Sequence, residues 1–316
     1  MDAFIIMLKN VIVFVLLAVP GVILVKTKLL KAEQSAVLSK VLLYVGMPFL
    51  ILNSTLNVSF DKDLLKLVLI SAAIGLGYTL LCVWLSKPAA FMEKNAKTQG
   101  MMRFCMVFTN NGFLGIPLAA AVFPDRPWVM TSLIIINIIT NAIMYTVGAF
   151  LITGDKANVR VKKAVFNPVL IAFLIGLLFN VLGVKGYVPE ISTYAGYLGG
   201  LVTPLSMLIL GMKLGNVNLL QMFSSWKTYY VSAVKLLVVP AVIIAVAFLL
   251  RGAFVFGDDL ILGAFVAYAL PTAALATTFA DSFGGDEKNA VSFTLGTTVL
   301  SIATIPLSYW LLLLIL

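Results

Sequence analysis

The sequence predicts an all-α integral membrane fold: ten transmembrane helices as two inverted five-helix repeats, with broken crossing helices 4 and 9. Three observations predict it. Of 316 residues, 61% are hydrophobic and 11% charged, with a mean hydropathy of +1.08, whereas a soluble domain carries about 25% charged residues. Ten apolar stretches are long enough to cross a bilayer, which takes roughly 20 residues per helix. Two of them are interrupted at their centres, at Thr109-Asn110-Asn111-Gly112-Phe113-Leu114-Gly115-Ile116-Pro117-Leu118 and at Ala269-Leu270-Pro271-Thr272.

Taken in order, the spans are 4–25, 36–56, 64–85, 100–122, 129–152, 167–184, 191–214, 227–250, 259–281 and 290–314. The N-terminus, Met1-Asp2-Ala3, has no positive region before the first apolar run, so the sequence predicts a retained helix and not a cleaved signal. The longest polar connectors are 86–99 and 153–166, which leaves no segment for a soluble domain. Thirteen Lys and Arg residues fall in the odd-numbered connections, against Lys62, Arg126, Lys185 and Arg251 in the even ones. The odd side is then cytoplasmic, and both termini are expected outside.

Marks at nearly constant offset suggest the repeat. Gly21 and Gly176 are 155 apart, Pro48 and Pro204 156, and Pro117 and Pro271 154. The predicted organisation is a first repeat over 1–152, a basic cytoplasmic loop over 153–166 with Arg160, Lys162 and Lys163, and a second repeat over 167–316. Five helices is an odd number, so the second repeat enters the membrane inverted, one of the builds of secondary transporters.

Charge and composition exclude several functions. The net charge of +9 is explained by basic loops, and no basic segment carries the interleaved aromatics of a nucleic-acid surface. There is no histidine, hence no His-based metal site, base or proton relay, and no cofactor is expected. Cys82 and Cys105 lie in apolar spans and are read as packing residues. No Walker sequence is present, which argues against nucleotide hydrolysis, and no enzyme motif is found.

The interrupted spans carry the candidate site. Proline removes a donor and clashes with the preceding turn, and glycine frees the backbone; a break at mid-depth survives only where protein or water covers it. Gly112, Gly115, Pro117 and Pro271 are read as the helix crossing. Half-helix N-termini attract anions, and the groups beside them are polar but uncharged: Thr109, Asn110 and Asn111 in span 4, Thr272, Thr277 and Thr278 in span 9. The amides either contact substrate or only cap the broken helix. Asn137, Asn141 and Tyr145 follow one another at four-residue spacing on one face of span 5. They line the pocket or serve interhelical packing. Asn53, with Thr203 and Ser206, would form a static wall. Lys235 lies deep in span 8, where a charge is costly and calls for a partner. Asp281 or a group of backbone carbonyls would supply it, and the two residues are the candidate coupling charges. A structural ion pair is the other reading. Lys40 and Lys213 near span ends are expected to snorkel.

Asn110 through Leu118 resembles the fourth-helix motif of the auxin efflux carrier family, which includes the plant PIN proteins and bacterial organic-acid permeases. The plant carriers have Asn-Thr-Leu-Val-Met-Gly-Ile-Pro-Leu there; this chain keeps the Asn, the Gly-Ile-Pro-Leu and their spacing. Ala269-Leu270-Pro271 resembles the ninth-helix break. Asn167-Pro168, Thr203-Pro204-Leu205, Val234-Lys235 with Pro240, and Thr304-Ile305-Pro306 fit other landmarks, so the resemblance covers the whole chain.

The resemblance implies a scaffold of spans 1, 2, 6 and 7, a moving domain of spans 3–5 and 8–10, a homodimer in the cytoplasmic membrane, and elevator-type transport of small organic anions such as malate or malonate. By motif match Asn110 is the substrate-facing amide. Position 235 is Lys where plant carriers have Arg, and the long hydrophilic loop of many plant carriers is missing. Two alternatives stay open: a sodium-coupled symporter resembling bile-acid carriers, and a membrane sensor that binds a ligand without moving it.

Overall fold

The computed structural model describes residues 2–56, 62–155, 168–218, 222–250 and 258–316. Its elements are helices, and the only strand-like pairing among the described residues is an isolated antiparallel bridge between Thr109 and Thr272. Seven helices are long and apolar enough to span a bilayer: α1 (Ile5–Lys26), α2 (Ala32–Leu56), α3 (Lys62–Ala89), α6 (Pro127–Thr153), α8 (Glu190–Gly215), α9 (Trp226–Val246) and α12 (Glu287–Leu313). Between them lie the shorter α4 (Ala96–Val107), α5 (Asn111–Val122), α7 (Pro168–Val181), α10 (Asp258–Tyr268) and α11 (Ala276–Phe283).

The sequence spans outnumber these seven for identifiable reasons. The stretch 100–122 stops being helical at Phe108 and resumes at Asn111, and 259–281 stops after Tyr268 and resumes at Ala276, so each is two short helices. The stretch 167–184 contains the short α7, and its upstream neighbours 156–167 lie outside the described residues, as does most of the basic loop with Lys156, Arg160, Lys162 and Lys163.

Proline leaves a local signature. Pro48, Pro117 and Pro240 each stand two residues after a widened π-helical turn: Leu42–Gly46, Asn111–Gly115 and Val234–Val238. A ring that cannot donate, and that pushes against the carbonyl one turn back, is accommodated by opening that turn. A fourth widened turn, Met144–Gly148 in α6, has no such proline. Gly148 there lies against the Phe108 ring, 2.8 Å from where a Cβ would sit.

Two groups of helices pack internally. In one, α1 lies along α8, and α2 lies against both α7 and the first half of α8. Contact is at backbone distance: a Cβ on Gly211 would stand 1.9 Å from the Ala18 carbonyl oxygen, and one on Gly176 1.8 Å from the Thr55 hydroxyl. Small residues allow such approach where apolar area alone gives no drive between helices. In the other group α6 packs on α3, α4 and α10, and α12 packs on α9 and α11. Polar ties join the second group at one end. Glu93 is paired with Lys227, the Thr98 hydroxyl donates to the Asp286 carboxylate at 2.6 Å, and the Tyr230 hydroxyl donates to the Ala89 carbonyl at 2.7 Å. The hydrogen bond from Lys227 holds the Glu93 carboxyl below the usual range.

Gly211→Ala is expected to destabilise the detergent-solubilised protein by about 1–3 kcal/mol, the cost of overpacking against fixed backbone. Gly196→Ala, at a position with nothing within 4 Å of the new methyl, is expected to be neutral. Thermal unfolding of the two variants side by side checks both.

Candidate functional site

The two non-helical stretches meet. The Asn110 N–H donates to the Pro271 carbonyl at 2.9 Å, and the Ala273 N–H donates to the Phe108 carbonyl at 2.9 Å. Thr109 and Thr272 therefore face each other as the non-hydrogen-bonded pair of an antiparallel bridge, the arrangement that brings side chains closest. Backbone groups freed by ending two helices inside an apolar protein thus satisfy one another. The Thr272 hydroxyl donates to the Cys105 carbonyl at 2.8 Å, and its N–H donates to the Thr297 hydroxyl at 3.2 Å.

The register differs from the alignment of prolines. The residues that pair are 163 apart, since 272 − 109 = 163, whereas Pro117 and Pro271 are 154 apart. Pro271 stands in the extended stretch and offers its carbonyl to the bridge. Pro117 is buried inside α5, where it follows a widened turn. The two prolines answer different local needs. Of the glycines, Gly115 lies 2.8 Å (from an ideal Cβ) off the Leu270 side chain, and Gly112 lies beside the cavity against Met47.

A cavity of about 230 Å³ opens next to the bridge. Thr109, Asn110, Asn137, Asn141 and Tyr145 are on its wall, together with Tyr44. Among the described residues, no lysine, arginine, aspartate or glutamate lines it. Lining residues on both sides carry backbone donors without an acceptor among the described residues: the N–H groups of Gly112 and Phe113 at the start of α5, and of Ala274 and Leu275 before α11. The Asn141 amide donates to the Asn137 side-chain oxygen at 3.0 Å, and the Tyr145 ring packs on Phe279 at 5.2 Å between centroids.

A family model described as "Membrane transport protein" matches residues 5–164 and 156–309. The chain belongs to this family, that of the auxin efflux carriers. Two relatives extend the likeness over nearly all of the carrier. An uncharacterized transporter of Methanothermobacter thermautotrophicus is 29% identical over 94% of this chain and 95% of its own length. Another, of Methanocaldococcus jannaschii, is 25% identical over 90% and 92%. The carrier is thus a multi-pass membrane protein of a transporter family and not an enzyme.

Several residues singled out in the sequence do not line the carrier's cavity, Thr203, Ser206, Thr277 and Thr278 among them. Thr272 is fully buried and turned to Cys105. Asn111 is buried, donates to the Thr140 hydroxyl at 3.2 Å, and leaves its side-chain oxygen without a partner among the described residues. Asn53, half-buried on α2, does not line the cavity.

Lys235 is fully buried on the widened turn of α9. Its ammonium donates to the Thr109 hydroxyl at 2.6 Å and to the Val107 carbonyl at 3.1 Å. Asp281 is not its partner. That residue is exposed on α11, and the ion pairs among the described residues, Lys66–Asp63, Arg126–Asp259 and Lys227–Glu93, include neither. The C-terminal carbonyl of α4 and a hydroxyl take the place of a carboxylate, which suits the negative end of a helix dipole.

Tyr44, Met47 and Met144 are on the cavity wall but were not in the sequence-derived set. For the first two the signal was Pro48, whose opened turn aims them inward; Met144 had none. Thr272→Val is expected to cost about 1–3 kcal/mol, the penalty for a buried carbonyl left unpaired, here that of Cys105. A loss of thermal stability smaller than that of Thr277→Val, at a half-buried position, would contradict the placement.

Proposed function

We propose that the carrier is a secondary transporter of small organic anions, carboxylates foremost, across the cytoplasmic membrane, working by an elevator-type movement. The observation that carries this reading is the donor-rich cavity beside the paired stretches 108–110 and 271–273, with no charged side chain among its described lining residues. A carboxylate only accepts hydrogen bonds. The free N–H groups of Gly112, Phe113, Ala274 and Leu275 and the amide of Asn110 match that demand. With no fixed cation among the described residues of the wall, such a ligand is held by dipoles and is free to leave on the other side.

The two packing groups support a division of labour. Helices α1, α2, α7 and α8 form the scaffold, and the remainder form the body that moves with the cavity. An inverted relation between 1–152 and 167–316 is supported by close contacts that exchange under nearly one offset: Gly21 lies against Gly211, and Gly176 lies against Thr55, where 21 + 155 = 176 and 55 + 156 = 211. Gly46 meets Val202, its own counterpart at 46 + 156 = 202, as residues on a two-fold axis do. On this reading spans 4 and 9 of a ten-helix carrier are the broken, crossing pair. The termini are extracytoplasmic, and the scaffold is the natural face for a homodimer.

In proteoliposomes the wild type is expected to take up labelled malonate or malate. Asn110→Ala is expected to abolish uptake, by at least about tenfold, while the protein still elutes and unfolds like the wild type; the loss of one ligand hydrogen bond is enough for that factor. Binding without flux in the wild type would replace the carrier with a sensor, and unchanged uptake in Asn110→Ala would remove the site assignment.

A further inference from the structure

We propose that Lys235 and Thr109 act as one unit: a buried cation that orients and polarises a hydroxyl donor, and so makes the cavity prefer anions over neutral solutes of the same shape. The assignment rests on the anion-carrier reading above and adds to it the residue pair that supplies the charge preference.

Three observations carry it. First, the Lys235 ammonium donates to the Thr109 oxygen at 2.6 Å. That occupies one of the hydroxyl's two acceptor sites and turns its proton away from the ammonium, to be given elsewhere; among the described residues no acceptor takes it. A hydroxyl is one donor and two acceptor sites, so the lysine in effect sets which role is left for the ligand. Second, Thr109 is on the cavity wall whereas Lys235 is not. The cation stands one hydrogen bond behind the wall, near enough to favour negative charge and too far to form an ion pair that would trap it. Third, the charge is uncompensated. Lys235 is fully buried, no carboxylate among the described residues is paired with it, and its other partner is the neutral Val107 carbonyl. In a low-dielectric interior such a charge acts over a longer distance than in water. The widened turn Val234–Val238 presents it to the end of α4. Lys235 is thus a positioning residue acting through Thr109.

The test compares malonate with its neutral isostere malonamide, by calorimetry on purified protein and by flux in proteoliposomes. Wild type, Lys235→Met, Lys235→Arg and Thr109→Val are measured together. Lys235→Met and Thr109→Val are expected to weaken malonate binding roughly ten- to a hundredfold, the worth of a hydrogen bond to a charged group, and to weaken malonamide, which loses at most a neutral hydrogen bond, by about tenfold less. The double variant is expected to be no worse than either single one, and Lys235→Arg to retain most of the malonate affinity. Equal weakening of both ligands would show a merely structural role and overturn the proposal. Should Lys235→Met not fold, Thr109→Val decides alone, and wild-type malonate affinity in it overturns the proposal. A wild type that binds and moves malonate, with both variants unaffected, removes this assignment and spares the carrier reading. A wild type indifferent to malonate, malate and other small carboxylates removes both.

Discussion

Everything at the centre of this protein depends on pairing backbone groups where no water is at hand. Ending a helix in an apolar environment strands N–H and C=O groups, each at a cost of several kcal/mol in lipid. Here two ended helices relieve each other through Asn110 with Pro271 and Ala273 with Phe108. Those two bonds do not use every freed group. The Cys105 and Val107 carbonyls are met by Thr272 and Lys235, and the N–H groups ahead of α5 and α11 are left facing a cavity. The N–H groups left over on the lining residues give the cavity its donor character.

Much of this was legible in the composition and the punctuation of the chain. Apolar length marks the spans, and Gly112, Gly115 and Pro271 mark where regular helix cannot continue. The register was not legible. Proline matches proline in sequence, yet the structure pairs Thr109 with Thr272, because pairing is decided by backbone direction and not by residue type. Side-chain direction was likewise hidden. Thr109 and Asn110 face the cavity, whereas Asn111 is wound into the first turn of α5 and takes Thr140 as its partner. Thr109 and Asn110 lie in the non-helical stretch and Asn111 begins the helix, so the three neighbouring polar residues do not share one direction. The partner of Lys235 was half legible: a carbonyl was foreseeable for a buried ammonium, whereas the Thr109 hydroxyl depends on a long-range contact.

The two helix groups are held together by different means. In the α1–α8 and α2–α7 contacts, Gly21, Gly211 and Gly176 let backbones approach closely, a geometry that tolerates little sliding. The other group holds the cavity's amides and is tied at one end by Glu93 with Lys227 and Thr98 with Asp286. Polar ties within a group keep its members in fixed relation to one another without anchoring the group to its neighbour.

The widened turns carry a consequence for how such a chain can change. Each contains one residue more than an α-helical turn would need, and a helix advances about 100° per residue. Deleting a single residue from Leu42–Gly46, Asn111–Gly115, Met144–Gly148 or Val234–Val238 would restore ordinary winding and re-aim the residues of that turn, while both flanks, between which the extra residue was absorbed, stay nearly in place. Tyr44, Phe113, Tyr145 and Lys235 all sit on these turns. Evolution can therefore re-aim the groups around the crossing by insertion or loss of one codon, with composition and hydropathy left almost untouched.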